Sequence, residues 1–241
     1  MTHPTALITG ASRGLGEVIA TFLARSGYDL VITARTEGSL AEVAGRLARE
    51  GHRVVARAGD VCDPAYRERL AAAAADLAEG RGLDVLVNNA SDLGPSPMPA
   101  LADYPLDSLE AVFRTNVIAP VALVQTLLPQ LEARRGLVVN ITSDAAVGAY
   151  EGWGGYGASK AALELVSRTL AAEIAGVSVV TVDPGDMRTQ MHQDAFPGED
   201  ISDRPPPDVT VPFWAWLFAA DRAAIDGRRF QAQGESWELA S

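Results

Sequence analysis

Tyr156 and Lys160, four residues apart in "YGASK", are side chains that could do chemistry together. The stretch "YGASKAALELVSRTLAAEIAG" reads as a helix, which puts the pair on one face, one turn apart. A free phenol titrates near ~10, so an ammonium beside it is a direct way to make it a proton donor or acceptor near neutral pH. The spacing alone is common, and its meaning comes from its neighbours. Ser143 ends the apolar run "LVVNITS", where it could hydrogen-bond a substrate oxygen. Thr142 is a rival hydroxyl, and a turn or helix-cap serine is the plainer alternative for Ser143.

A second candidate is "TGASRGLG", residues 9–16. Its core, Gly10-Ala11-Ser12-Arg13-Gly14, matches a nucleophile turn of the G-x-S-x-G type. That chemistry needs a histidine base and an oxyanion loop after an earlier strand, yet fewer than ten residues precede the motif. His52 starts an expected strand and His192 lies in a Pro-rich stretch, so neither suits the role. A phosphate cradle fits better, because the turn follows an apolar strand and opens a helix whose N-terminal N–H groups favour an anion. Gly10 would make the tight turn, Gly14 would let the backbone approach a ligand, and Gly16 would let helix and strand lie close. The next strand, "YDLVITAR", ends in Arg35, where a free ribose hydroxyl would ask for an acid; Arg35 and Arg13 instead suit a 2′-phosphate. Solvated surface arginines are the alternative.

These residues need elements that bring them to one edge. Short apolar runs alternate with helix-period stretches along the whole chain, from "TALITG" and "LGEVIATFLARSG" to a last strand near "RRFQAQ". Repeated βα units call for an α/β fold, a doubly wound parallel sheet with helices on both faces, here as a single domain over 1–241. Its 241 residues, 48% hydrophobic, suffice for one large core. Residues 185–209, polar and Pro-rich, read as a long loop and a substrate lid. The net charge of −11 gives no support to a nucleic-acid or anionic-membrane partner. Cys62 has no partner for a disulfide and the histidines show no metal spacing, so no metal is expected and a cytoplasmic location is the default. No apolar stretch is expected to span a bilayer. Tyr150, Trp153, Phe196, Trp214 and Trp216 could border a pocket for a largely apolar substrate, with core packing the alternative for the last two.

The chain resembles the short-chain dehydrogenase/reductases in their single-domain branch. The resemblance rests on "TGASRGLG", "GDV" with Asp60, "NNA" at 88–90, Asn116 in "RTNV", Ser143, "YGASK" and "DPGDMRT" at 183–189. It implies a Rossmann fold and an NADP(H)-dependent oxidoreductase that moves a hydride between nicotinamide and a carbonyl or secondary alcohol. Tyr156 would be the general acid or base, Ser143 would position the substrate oxygen, Lys160 would bind ribose and lower the tyrosine pKa, and Asn116 would anchor a relay water. Gly10, Ser12, Arg13, Gly14, Leu15, Gly16 and Arg35 would hold the phosphates. Asp60 and Val61 would border the adenine, Asn89 and Ala90 would line the cofactor, and Pro184, Gly185, Met187 and Thr189 would meet the nicotinamide. Two positions depart from the pattern: Ser91 stands where glycine is common, and Met187 where a β-branched residue is frequent. The resemblance also implies a homodimer or homotetramer, through Ala- and Leu-rich helices within 106–135 and 156–175. The competing reading is a catalytically silent NADP-binding sensor on the same fold.

Overall fold

The apolar runs form strands β1 (Thr5–Thr9), β2 (Asp29–Ala34), β3 (Val54–Ala58), β4 (Val85–Asn88), β5 (Leu137–Ile141), β6 (Ser178–Asp183) and β7 (Arg229–Gln231). Between them lie helices α1 (Gly14–Arg25), α2 (Glu37–Arg49), α3 (Pro64–Leu77), α4 (Leu106–Phe113), α5 (Ala119–Arg134), α6 (Gly154–Glu173), α7 (Gln190–Ala195), α8 (Val211–Ala219) and α9 (Arg222–Ile225). The computed structural model describes residues 3–237, and its strands pair in parallel in the order β3-β2-β1-β4-β5-β6-β7. Strands β1, β4 and β5 are buried at every residue, because helices cover both faces. Ala6 and Ile8 pack in one layer with Ile19 and Leu23 of α1, Leu40 and Leu47 of α2, and Phe213 and Leu217 of α8. Leu7, between them, belongs to the opposite layer with Leu70 of α3 and Leu123 and Leu127 of α5. This is the doubly wound Rossmann-type sheet.

Strand order reverses between β1 and β4, so their C-terminal ends part to leave the crevice where such sheets take ligands. Everything expected to do chemistry sits at that edge.

Helix α4 runs into α5 through a π-helical turn, Arg114–Ile118. By length and composition this continuous run, Leu106–Arg134, is long and apolar enough to cross a membrane, contrary to the expectation from apolar stretches alone. Here one side of it lies in the core, with Val112, Leu123, Leu127 and Leu131 fully or almost fully buried.

One further expectation is corrected. Residues 185–209 are not irregular throughout: Thr189 Oγ1 caps α7 by accepting from His192 N at 3.2 Å, and Gln190 Nε2 donates to Asp194 Oδ1 at 2.8 Å. A helix of six residues is too short to show an apolar period in the sequence. A 3-10 turn, Pro207–Thr210, then leads into α8. For the tryptophans of α8 the core alternative is the one realised. Trp214 is fully buried with Nε1 donating to Thr210 Oγ1 at 2.8 Å, and Trp216 packs among Phe213, Phe230 and Trp237 in tilted and edge-on contacts.

The last strand braces the edge. Arg229 donates to Glu164 Oε1 at 2.8 Å, to Asp183 Oδ2 at 3.0 Å and to the Ser143 carbonyl at 3.3 Å. One guanidinium thus neutralises two buried carboxylates and ties α6, β6 and the end of β5 together.

Candidate active site

At the end of β1 the chain turns through Gly10 with φ of +67°, a left-handed conformation that glycine adopts without steric cost. A Cβ there would lie 2.8 Å from Asn89 Nδ2, and one on Gly16 would collide with the Gly10 carbonyl. Asn89 causes this crowding: its Nδ2 donates to the carbonyls of Thr9 at 3.0 Å and Gly10 at 3.1 Å. Thr9 Oγ1 accepts from the Asn89 and Ala90 amides, both at 3.0 Å. Thr9 was not singled out from the sequence; a threonine ending a strand carries no signal until its partner strand is known.

The turn opens α1 with no side chain capping its first N–H groups. Ser12 Oγ has no hydrogen bond to a base among the described residues, in keeping with a cradle and not a nucleophile. The mouth continues into a cleft of about 1160 Å³. Gly10, Ser12, Arg13, Gly14, Leu15, Arg35, Asp60, Val61, Asn89, Ala90, Tyr156, Lys160, Pro184, Met187 and Thr189 all line it. Gly16 lies buried beneath the turn, and Gly185 lines a smaller adjoining cavity with Ser143. Thr36 and Ser39 also line the cleft beside Arg35 and were not anticipated. Arg13 and Arg35 are exposed at its wall and pair with no acid among the described residues, whereas nearby Arg46 is held by Glu17 at 2.9 Å.

Tyr156 and Lys160 lie in α6 as the spacing predicts, both buried. Lys160 Nζ donates to the Ile141 carbonyl at 2.8 Å and sits 5.4 Å from the Tyr156 ring centre. An ammonium has three donors, and this is the one hydrogen bond Nζ makes among the described residues. The expected lowering of the tyrosine pKa is not what the geometry gives. Burial dominates and raises the Tyr156 phenol well above its ordinary value, although hydrogen bonding with the Ser91 and Ser143 hydroxyls opposes it. Burial likewise lowers Lys160, to about 7. Desolvation penalises the charged form of each group.

Asn116 falls in the π-helical turn with its side chain fully used. Oδ1 accepts from Ser91 Oγ at 3.1 Å and Asp92 N at 2.7 Å, and Nδ2 donates to the Asp92 carbonyl at 2.8 Å and Ser159 Oγ at 2.9 Å. The side chain therefore has no donor or acceptor to spare, and a relay water at Asn116 would be held by its backbone. Ser91, the departure from glycine, fills one of those bonds. Thr142 is removed as a rival to Ser143, since its hydroxyl donates to buried Glu164 at 2.8 Å. Ser143 Oγ caps a 3-10 turn by accepting from Ala145 N at 3.1 Å and donates to Asp144 Oδ1 at 2.9 Å, so the cap-serine alternative is realised while the residue still faces the cavity with Tyr156.

Comparison with known proteins agrees with this architecture. The family model described as short chain dehydrogenase matches residues 4–200, and the chain belongs to that family. A rhamnolipid-biosynthesis 3-oxoacyl-[acyl-carrier-protein] reductase of Pseudomonas aeruginosa is 38% identical over 194 residues, covering 77% of this chain and 73% of the relative. A short chain dehydrogenase of Shigella flexneri, crystallised in complex with NADP, superposes with a TM-score of 0.88 at 31% identity, covering 96% of this chain and 97% of the other. A short chain dehydrogenase of Escherichia coli in complex with NADPH gives the same TM-score, 0.88, at 31% identity, with the same coverage of 96% and 97%.

Lys160 makes stability depend on pH. Its folded value of about 7 lies below its unfolded value near 10.5, so between them the unfolded chain binds a proton that the folded chain lacks. Stability therefore rises with pH across that window, and Tyr156, shifted upward, reverses the trend only above about pH 10. Thermal melting without nucleotide should show Tm climbing from about pH 7 to about pH 9, with a flatter profile in Lys160→Met. Equal slopes in the two proteins would contradict the assignment.

Proposed function

We propose that this chain is an NADP(H)-dependent oxidoreductase acting on a small-molecule carbonyl or secondary alcohol. The observation that carries this reading is that the glycine turn, the two acid-free arginines, Tyr156 and Lys160 all line one continuous cleft. The residues fit a 2′-phosphorylated dinucleotide: an uncapped helix start and a positive-φ glycine suit the pyrophosphate, and a buried ammonium with donors to spare suits the ribose. Arg13 and Arg35, with Thr36 and Ser39, would hold the 2′-phosphate. Asp60 and Val61 would border the adenine, and Pro184, Gly185, Met187 and Thr189 the nicotinamide end. When bound, the nicotinamide supplies or accepts the hydride. The solved relatives crystallised with NADP and NADPH support the choice of cofactor.

In this reading Tyr156, kept as the neutral phenol by burial, gives its proton to the substrate oxygen in reduction and recovers it in oxidation. Ser143 orients that oxygen. Asn116 acts as a positioning residue that fixes Ser91, Asp92 and Ser159 around the tyrosine. The segment 185–209 would close over the substrate, since Met191 and Pro207 already line the cleft beside it. An acidic carrier-protein substrate, such as the Pseudomonas aeruginosa relative's name describes, is disfavoured by the net charge of −11. Exposed Leu106, Ile118 and Leu165, at 77%, 57% and 60% exposure, point to a homodimer or homotetramer through α4, α5 and α6. A reducing cytoplasm suits the unpaired Cys62, which cell fractionation checks.

Three outcomes are expected. Tyr156→Phe should cut turnover of any carbonyl the wild type reduces by roughly two to four orders of magnitude with little change in NADPH affinity; near-normal turnover would assign the proton to another group, and no turnover by the wild type on any carbonyl would favour the silent sensor. NADPH should bind at least about tenfold tighter than NADH, a preference that Ala34→Asp with Arg35→Ser reverses. Equal binding in the wild type would put both arginines in solvent. Light scattering at micromolar concentration should report a mass above one chain, and a monomer would refute the oligomer.

A further inference from the structure

Beside Tyr156 and Ser143 a cavity of about 100 Å³ opens toward α7. Its apolar wall is built from Leu93, Met187, Met191 and Trp153, whose indole meets the Tyr156 ring edge-on at 5.8 Å and lies 6.1 Å from Phe196. Its polar wall is one-sided. Asp144, Asp183 and Asp186 line the cavity, and no lysine or arginine does so among the described residues. Asp183 is held by Arg229, but Asp144 meets only neutral hydroxyls, those of Ser143 and Tyr150, and no cation among the described residues. Asp186 has Arg204 Nε at 3.7 Å, a guanidinium shared with Asp203 through its Nη1.

The second observation is His192. It lines the same cavity with its side chain nine-tenths buried, and its Nε2 has no hydrogen-bond partner. Its Nδ1 faces Asp186 Oδ1 at 3.8 Å. In the neutral ring with the proton on Nδ1, directed at the carboxylate, Nε2 is a lone-pair acceptor. An orphaned buried acceptor costs free energy unless a ligand's N–H or O–H meets it. Apart from the hydroxyls, Tyr156's among them, the free polar side-chain groups on this wall are then acceptors, and two of them carry negative charge.

Resting on the oxidoreductase reading of the neighbouring tyrosine, we propose that His192, Asp186 and Asp144 form a subsite for the ammonium group of an amine-bearing substrate, an amino ketone or amino alcohol whose apolar or aromatic body packs on Trp153 and the methionines. A carboxylate- or phosphate-bearing substrate would meet like charge there and no cation. The subsite therefore narrows the substrate beyond an apolar carbonyl compound, and it selects by charge as well as shape.

Binding of small probes tests this without turnover or nucleotide. Benzylamine, benzyl alcohol and benzoate are titrated into the full chain by calorimetry at about 0.2 M salt, where the diffuse field of the acidic surface is screened within about a Debye length. Benzylamine should bind at least about tenfold tighter than benzoate, with benzyl alcohol between them. The exposed Asp144→Asn and Asp186→Asn substitutions together should erase that preference while leaving Tm close to the wild-type value. His192→Phe should weaken both benzylamine and benzyl alcohol, since each loses an acceptor. Equal binding of amine and acid, preference for benzoate, no saturable benzylamine binding, or a preference that survives the double substitution would each overturn the proposal. A separate NADPH titration keeps the two readings apart: selective benzylamine binding with no NADPH binding would sink the cofactor assignment and leave the subsite standing.

Discussion

The Asn89 side chain, clamped between the carbonyls of Thr9 and Gly10, sets the geometry on which the rest of the molecule's cleft depends. It joins the ends of β1 and β4 at the place where strand order reverses, and it fills the space that a Cβ on Gly10 or Gly16 would need. The close approach of α1 to β1 follows, and with it an uncapped helix start aimed at the mouth of the cleft. Each of these hydrogen bonds contributes only about 1 kcal/mol net, yet leaving a buried amide unmet costs about 1–3 kcal/mol, so the clamp is specified more by what its absence would cost than by what it adds.

On the other side of the same crevice, α6 is positioned by buried polar contacts. Lys160 reaches the Ile141 carbonyl at the end of β5, and Glu164, one turn on, meets Thr142 and Arg229. The lysine and the tyrosine both lie where their charged forms are penalised, which leaves a neutral phenol and an amine that gives up its proton easily. Anionic groups arriving beside Lys160 would favour its charged form again, so binding and proton chemistry are coupled through one side chain.

Much of this was legible in sequence because it is local. The alternation of apolar runs and helix periods is repeated along the chain, and the Gly10, Gly14 and Gly16 spacing and the Tyr156–Lys160 pair each fit within one turn of structure. What escaped depends on distant partners. Thr9 and Ser91 matter through residues 80 and 25 positions away, and nothing in their own neighbourhoods shows it. The saturation of Asn116 needed the fold, as did the choice between Ser143 and Thr142, which rests on Glu164 taking the threonine hydroxyl. The tyrosine–lysine electrostatics were misjudged because spacing fixes proximity but not burial, and burial dominates both shifts. Trp214 and Trp216 stayed open between pocket and core for a related reason: an aromatic helix looks the same in sequence whether it walls a pocket or fills a core. Helix α7 was missed because six residues held by a threonine cap have no apolar period to read.

The central claim is that one cleft brings a 2′-phosphate site at Arg13 and Arg35 into line with Tyr156. A crystal structure of the protein with NADP bound tests it most directly. The account predicts the 2′-phosphate between those two guanidinium groups, the pyrophosphate over the Gly10–Gly14 turn, and the nicotinamide facing Tyr156 with its ribose on Lys160. A nucleotide bound elsewhere, or one in this cleft with its nicotinamide turned away from Tyr156, would contradict it.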